Sequence, residues 1–190
     1  MNRWLGLALI SLGVSTPLQA ASLSLDAHEI GSKETYRSHW EIWGSYDRSY
    51  VRGKQILVTV RDLSRKAASC KISVYFIAQP APGAKRFIYD LQEFTPEFRG
   101  RLEMSAPIQA RDLRARVRYL APFGTIYGKG ATIDGWIVVG SSDDGVFGIK
   151  ASSQTLLEIA QEHERQPQSL GQMIAEYDTA ISQRSQRSRN

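Results

Sequence analysis

ILVTVRDLSRKAASCKISVYFIAQP, Ile56 to Pro80, holds two runs in which apolar and polar side chains alternate. Ile56, Val58 and Val60 share one parity, against Gln55, Leu57, Thr59 and Arg61. Ile72, Val74, Phe76 and Ala78 then alternate with Lys71, Ser73, Tyr75 and Ile77. Successive side chains of a strand point to opposite faces, so a period of two marks a half-buried strand. The β-branched and aromatic content of both runs agrees with that state. The polar stretch from Ser64 to Ser69 separates the two strands. Pro80, Pro82 and Gly83 close the second, because proline cannot donate to a central ladder.

The same period extends outward in both directions. Leu23, Leu25 and Ala27 alternate with polar residues. Tyr36, Ser38, Trp40 and Ile42 form one face of the next segment, with Arg37, His39, Glu41 and Trp43 on the other. Downstream, Arg86–Leu91, Leu102–Ser105 and Leu113–Leu120 read as strands, broken by Pro96 and Gly100. Thr132–Gly140 and Val146–Ala151 flank a turn in which Gly145 takes positive φ without steric penalty. Eight to nine strands with turn signals roughly every ten residues predict an all-β sandwich or barrel.

The period changes after residue 151. Leu156, Leu157 and Ala160 share a helical face behind an N-cap at Ser152 or Ser153. Beyond Pro167, Ser169 and Gln172 form a capping-box pair. Leu170, Met173, Ile174, Tyr177 and Ile181 then recur at helical spacing over about four turns. Met173, Ile174, Tyr177 and Ile181 either dock on the sheets or lie in the groove of a partner. The expected layout is a leader over 1–20, a β-sandwich over 21–151 and a helical tail over 152–190.

The leader reading rests on MNRWLGLALISLGVSTPLQA. Arg3 precedes an apolar run from Trp4 to Val14, and small residues end at Ala20. That run is too short for a bilayer, which takes roughly 20 residues, and fits a secretory signal peptide. No later apolar run reaches spanning length, so no transmembrane span is expected in the mature chain. The expected location is exported, in the periplasm or at the cell surface. The whole chain carries a formal charge of +5, and losing Arg3 leaves +4. This balance favours anionic partners, although nucleic acid is a poor one for an exported chain. Cys70 is the single cysteine, so no internal disulfide can form, and its parity with Ile72 and Val74 points it inward.

Ile56–Pro80 resembles the B–C strand pair of immunoglobulin-like sandwiches. Together with DGWIVVG…GVFGIKASSQTLLEIA, Asp134 to Ala160, it is similar to a group of secreted Ig-like single-domain proteins of Gram-negative bacteria. Some of that group are associated with type IV pilus gene clusters. The likeness spans most of residues 22–160. It implies an Ig-like antiparallel β-sandwich, which the two short C-terminal helices read from the period would follow, an envelope location, and a binding or scaffold role beside an envelope or pilus protein. It implies no site residues.

Enzyme signatures are missing: there is no GxSxG, HExxH, Walker A or GxGxxG. The expectation is a non-enzymatic module without metal or cofactor, with a dispersed catalytic site as the remote alternative. His39 and Glu41 lie on one strand face, but a metal site needs at least a third ligand. Two features carry binding chemistry. Arg114, Arg116 and Arg118 alternate with Leu113, Ala115 and Val117. On a strand this lines up three guanidiniums about 7 Å apart, able to grip phosphate, sulfate or carboxylate groups. The plain alternative is an edge strand guarded by charge. Trp43 shares its face with Arg37, His39 and Glu41, and an exposed indole there could stack on a sugar or anchor an interface. A carbohydrate- or polyanion-binding module is therefore the alternative to a protein-binding one.

Overall fold

A computed structural model describes residues 23–40, 46–63, 69–80, 84–120, 125–165 and 169–187. Two antiparallel sheets pack face to face, and two helices cover the outer face of one of them. The strands are β1 (Leu23–Trp40), β2 (Tyr46–Asp62), β3 (Cys70–Gln79), β4 (Phe87–Phe94), β5 (Glu103–Gln109), β6 (Leu113–Leu120), β7 (Thr125–Gly130), β8 (Thr132–Ser142) and β9 (Gly145–Ala151). The helices are α1 (Gln154–His163) and α2 (Leu170–Arg187). The first sheet runs β1-β2-β6-β7, with β5 also pairing β2. The second runs β4-β3-β8-β9.

The alternating runs build the shared core. Leu23 and Leu25 of β1 and Ile56, Val58 and Val60 of β2 meet Cys70, Ile72, Val74 and Phe76 of β3 and Trp136 and Val138 of β8. The Cys70 thiol points inward as its parity predicts, and burial pushes its pKa up, with the Asp62 charge adding to it. Along one edge the sheets nearly touch: a Cβ on Gly148 would lie 2.7 Å from Leu25 Cβ, so only glycine fits there.

β3 and β8 are apolar on both parities because the second sheet is covered on both sides. Ile77 and Ile137 point away from the shared core and pack with Leu156, Ile159, Ala160, Leu170 and Ile174 of the helices. Ser153 caps α1 by accepting the Leu156 N–H at 3.3 Å, while Ser152 Oγ accepts the Trp136 N–H at 3.0 Å. Both arms of the α2 capping box form: Ser169 N–H donates to Gln172 Oε1, and Gln172 N–H donates to Ser169 Oγ. The helix runs on to Arg187.

Ile174 is fully buried and Met173 and Tyr177 pack beside it, so this face of α2 is used against the chain's own sheet. The partner-groove reading of Met173, Ile174 and Tyr177 gives way to docking in cis. The Ile181 side chain lies outside the described residues. Arg86 locks the dock: its backbone N–H reaches Asp178 Oδ2 at 2.8 Å, and its Nε reaches Oδ1 at 2.9 Å. A third link runs from the same guanidinium to Asp134. Both partners of the main pair are largely buried, at 11% and 14% side-chain exposure.

Three boundaries differ from the sequence reading. β1 is one strand of 18 residues rather than two. A bulge between Glu29 and Gly31 changes its parity, so that Leu25 and Tyr36 fall on the same side. β2 begins at Tyr46 and passes straight through Gly53. β7 was not anticipated and pairs with β6, so β6 has a neighbour on each side. The guarded-edge explanation of its arginines is therefore corrected.

Removing one member of a buried ion pair leaves the other charge uncompensated. Asp178→Ala is expected to cost about 3 kcal/mol by urea unfolding. The exposed Glu97–Arg99 pair provides the control, and Glu97→Ala should change stability by less than about 1 kcal/mol.

Candidate functional site

The first sheet is longer than the core it covers. Its buried apolar side chains stop at Leu25 in β1 and at Ile56 in β2, and among the described residues β6 and β7 add none. The rest of β1 and β2, with β6 and β7, forms an overhang.

Register decides what each face of the overhang carries. Arg37 lies opposite Ser49, which lies opposite Arg116, which lies opposite Lys129. Thr35, Val51 and Arg114 make the next row, and Lys33 and Gly53 the one after. His39, Asp47 and Arg118 make the row on the other side. Directly paired residues share a face, so one face holds Lys33, Arg37, His39, Arg114, Arg116, Arg118 and Lys129. The arginine stripe is therefore present on one exposed face, as its alternation predicts, and β1 and β7 widen it. The added members were not legible in the sequence, because they come from strands 80 residues upstream and about a dozen downstream.

These side chains border an open groove of about 830 Å³, lined among others by Lys33, Arg37, Ser49, Arg114, Arg116 and Lys129. Its carboxylate is Asp112. Arg116 is fixed by Asp47, with Nε 2.6 Å from Oδ2. The Asp47 side chain is 9% exposed and that of Arg116 is 60% exposed, so the pair anchors a guanidinium that still faces solvent. The Arg116 hydrogen bond holds the Asp47 carboxyl below its ordinary value against the opposing effect of burial, helped by the charges of Arg116, Arg118 and His39. Lys33, Arg37, Arg114 and Lys129 have no ion-pair partner among the described residues.

The opposite face is aromatic. The Arg48 guanidinium lies 5.2 Å from the Tyr36 ring centre, 5.7 Å from that of Tyr46 and 6.0 Å from that of Tyr50. Arg52 stacks over Tyr50 at 5.1 Å and pairs with Glu34. Tyr36 is 62% exposed.

The overhang is tied to the core at the corner between β5 and β6. Asp90 of β4, 2% exposed, accepts the Arg111 backbone N–H at 2.9 Å and the Arg111 Nε at 2.6 Å. Gln92 donates to both Asp90 and the Gln109 carbonyl. Burial alone would raise the Asp90 pKa, but the Arg111 and Gln92 hydrogen bonds outweigh it and hold the carboxyl below its ordinary value.

Of the expected site residues, Arg114, Arg116, Arg118 and His39 come together on the basic face. Trp43 and Glu41 lie outside the described residues. No group of three potential metal ligands occurs among the described residues. No helix among them is long and apolar enough to cross a membrane. Compared with family models, curated proteins and solved structures, the chain matches none.

The carboxylates of Asp47 and Asp90 titrate lower in the folded chain than in the unfolded one, whose reference value is 3.8. Between the two values the unfolded chain binds more protons, so stability rises with pH there. The contribution is complete above the unfolded value and lost as pH falls through the folded ones. Carboxyl NMR titration should place both midpoints below 3.8, and Arg116→Gln should move the Asp47 midpoint up while leaving that of Asp90 in place.

Proposed function

We propose that the chain is an exported, non-enzymatic binding module of the cell envelope, built on an Ig-like sandwich, that holds its partner on the overhang of its long sheet. The observation that carries this reading is the uneven assignment of the two sheets. The second sheet is covered on both faces, by the first sheet and by α1 and α2. The first sheet outruns its cover and devotes the excess to solvent-facing cations on one side and tyrosine–arginine stacking on the other. An enzyme gathers titratable groups into a closed, low-dielectric pocket. Here the charges line an open face, which suits binding.

The Ig-like reading is supported by two antiparallel sheets facing each other over inward-alternating residues, with Cys70 and Trp136 in one core cluster. Export is supported by the charged, apolar and small-residue sequence of 1–20. A second reading, a pilus or secretion protein as partner, draws on the other face. Tyrosine and arginine are the residues that anchor protein interfaces, and Tyr36 stands exposed among Arg48 and Tyr50.

Two measurements test the proposal. Intact mass of the chain recovered from the envelope fraction of a Gram-negative host should correspond to a start at Ala21. Photo-crosslinking residues at Ser49 or Tyr36 should yield adducts with envelope material, whereas the same residue at Gln161 on α1 should not. A chain that keeps residues 1–20 in the cytosol, or that crosslinks only from Gln161, would overturn it.

A further inference from the structure

On the basic face, β2 sets short side chains between two rows of long ones. From Asp47 to Gly53 it contributes Asp47, which holds Arg116, and then Ser49, Val51 and the bare Gly53 to that face. β1 on one side supplies Lys33 and Arg37, and β6 on the other supplies Arg114 and Arg116. Neighbouring strands lie about 4.8 Å apart, so the two walls stand about 10 Å apart across a floor one strand wide. The result is a trough that follows β2. Five cations, counting Lys129, line it together with the carboxylate of Asp112, and Asp47 offsets the charge of Arg116 at one end.

The trough continues beyond Gly53. A second groove of about 210 Å³ shares Lys33 and is lined by Gly31, Gly53, Gln55 and Gln109. Gln55 lies opposite both Gly31 and Gln109, which puts all three on the basic face. The chemistry therefore changes along one line, from guanidinium and ammonium groups to amides. Guanidiniums take carboxylate, sulfate or phosphate with paired hydrogen bonds. Amides both donate and accept, which suits hydroxyl groups.

We infer that this trough binds a linear anionic glycan, with its acidic groups on Arg37, Arg114 and Arg116 and its hydroxyls on Gln55 and Gln109. This rests on reading the overhang as the binding surface. A bilayer presents headgroups as a plane, whereas these cations border a recess. Single-stranded nucleic acid is held by stacking bases on aromatic rings. The three rows that line the trough, from Lys33 to Arg37, Ser49 to Gly53 and Arg114 to Arg116, place no aromatic residue on this face; Tyr127, opposite Arg118, lies in the row beyond.

The test uses the full-length chain, expressed with its own leader and purified, at about 0.15 M salt, where surface attraction is already well screened. Fluorescently labelled dextran sulfate and polygalacturonate are the anionic probes and dextran is the neutral one. Both anionic polymers should bind and dextran should not. Each of Arg37→Gln and Arg114→Gln should weaken binding about tenfold, the loss expected for one charge-assisted contact. Arg61→Gln, at the far end of the same sheet, should leave binding unchanged. Asp112→Asn removes the opposing carboxylate and should tighten binding about threefold, a gain that misfolding cannot produce. Equal binding of dextran, tighter binding of oligothymidylate or of phosphatidylglycerol vesicles, or indifference to all of these trough substitutions would overturn the inference. Crosslinks from Ser49 that persist in cells while neither anionic polymer binds would sink the glycan and spare the overhang as a binding surface. The reverse pattern would do the opposite.

Discussion

The Asp90 carboxylate decides where the long sheet changes partners. β2 pairs with β1 along its whole length, but its other side is shared by β5 and then β6. The chain must therefore leave one strand and enter the next between Ala110 and Asp112 without fraying the ladder. Ala110 N–H bonds to the Lys54 carbonyl at 2.8 Å, and one residue later Arg111 is pinned by Asp90 through both backbone and side chain. A buried carboxylate with several donors is a strong fixed point, because its own charge would be left uncompensated without them. Asp90 belongs to β4, in the opposite sheet, so the same contact that ends β5 also joins the two layers. The trough runs past this corner, with its cations beyond it and its amides on the β5 side.

The second sheet shows why the tail is part of the fold. β3 and β8 carry apolar groups on both faces, and a face left bare would expose Ile77 and Ile137. α1 and α2 cover it, and the Arg86–Asp178 pair fixes α2 at the start of β4. Apolar burial here is non-directional, so the ion pair supplies the orientation that packing alone leaves open.

Much of this was legible in the sequence, and the rest fails for identifiable reasons. Alternation found β2, β3, β6, β8 and β9, because each carries at least one apolar parity. It divided β1 because the bulge at Ile30 breaks the period, and a parity count cannot distinguish a bulge from a loop. β2 runs through Gly53, which a glycine alone would not suggest, because its pairing with Lys33 keeps it in the ladder. β7, with TIYGKG, has too little apolar content to announce a strand and exists through its pairing with β6. The docking of α2 did have a signal: Tyr75, Ile77, Ile137 and Val139 are apolar at the parity that a one-sided sheet would leave polar. At the candidate site the arginine stripe was visible, being local. Lys33, Arg37 and Lys129 join it only through strand pairing, and no local pattern encodes that.

The bulge at Ile30 acts as a phase shifter between two halves of one strand. Above it, odd-numbered residues of β1 face the core; below it, they face the solvent with Arg37. Because Glu29 pairs with Ile56 and Gly31 with Gln55, Ile30 is the one residue of the strand with no counterpart on β2. Losing Ile30 would restore a regular ladder with every later pairing intact. Losing any single residue between Lys33 and Arg37 would shift the remainder by one and exchange the cationic side for the tyrosine side. Insertions and deletions in β1 are therefore not equivalent: tolerance to them is concentrated at a single position, and elsewhere one codon would turn the overhang inside out.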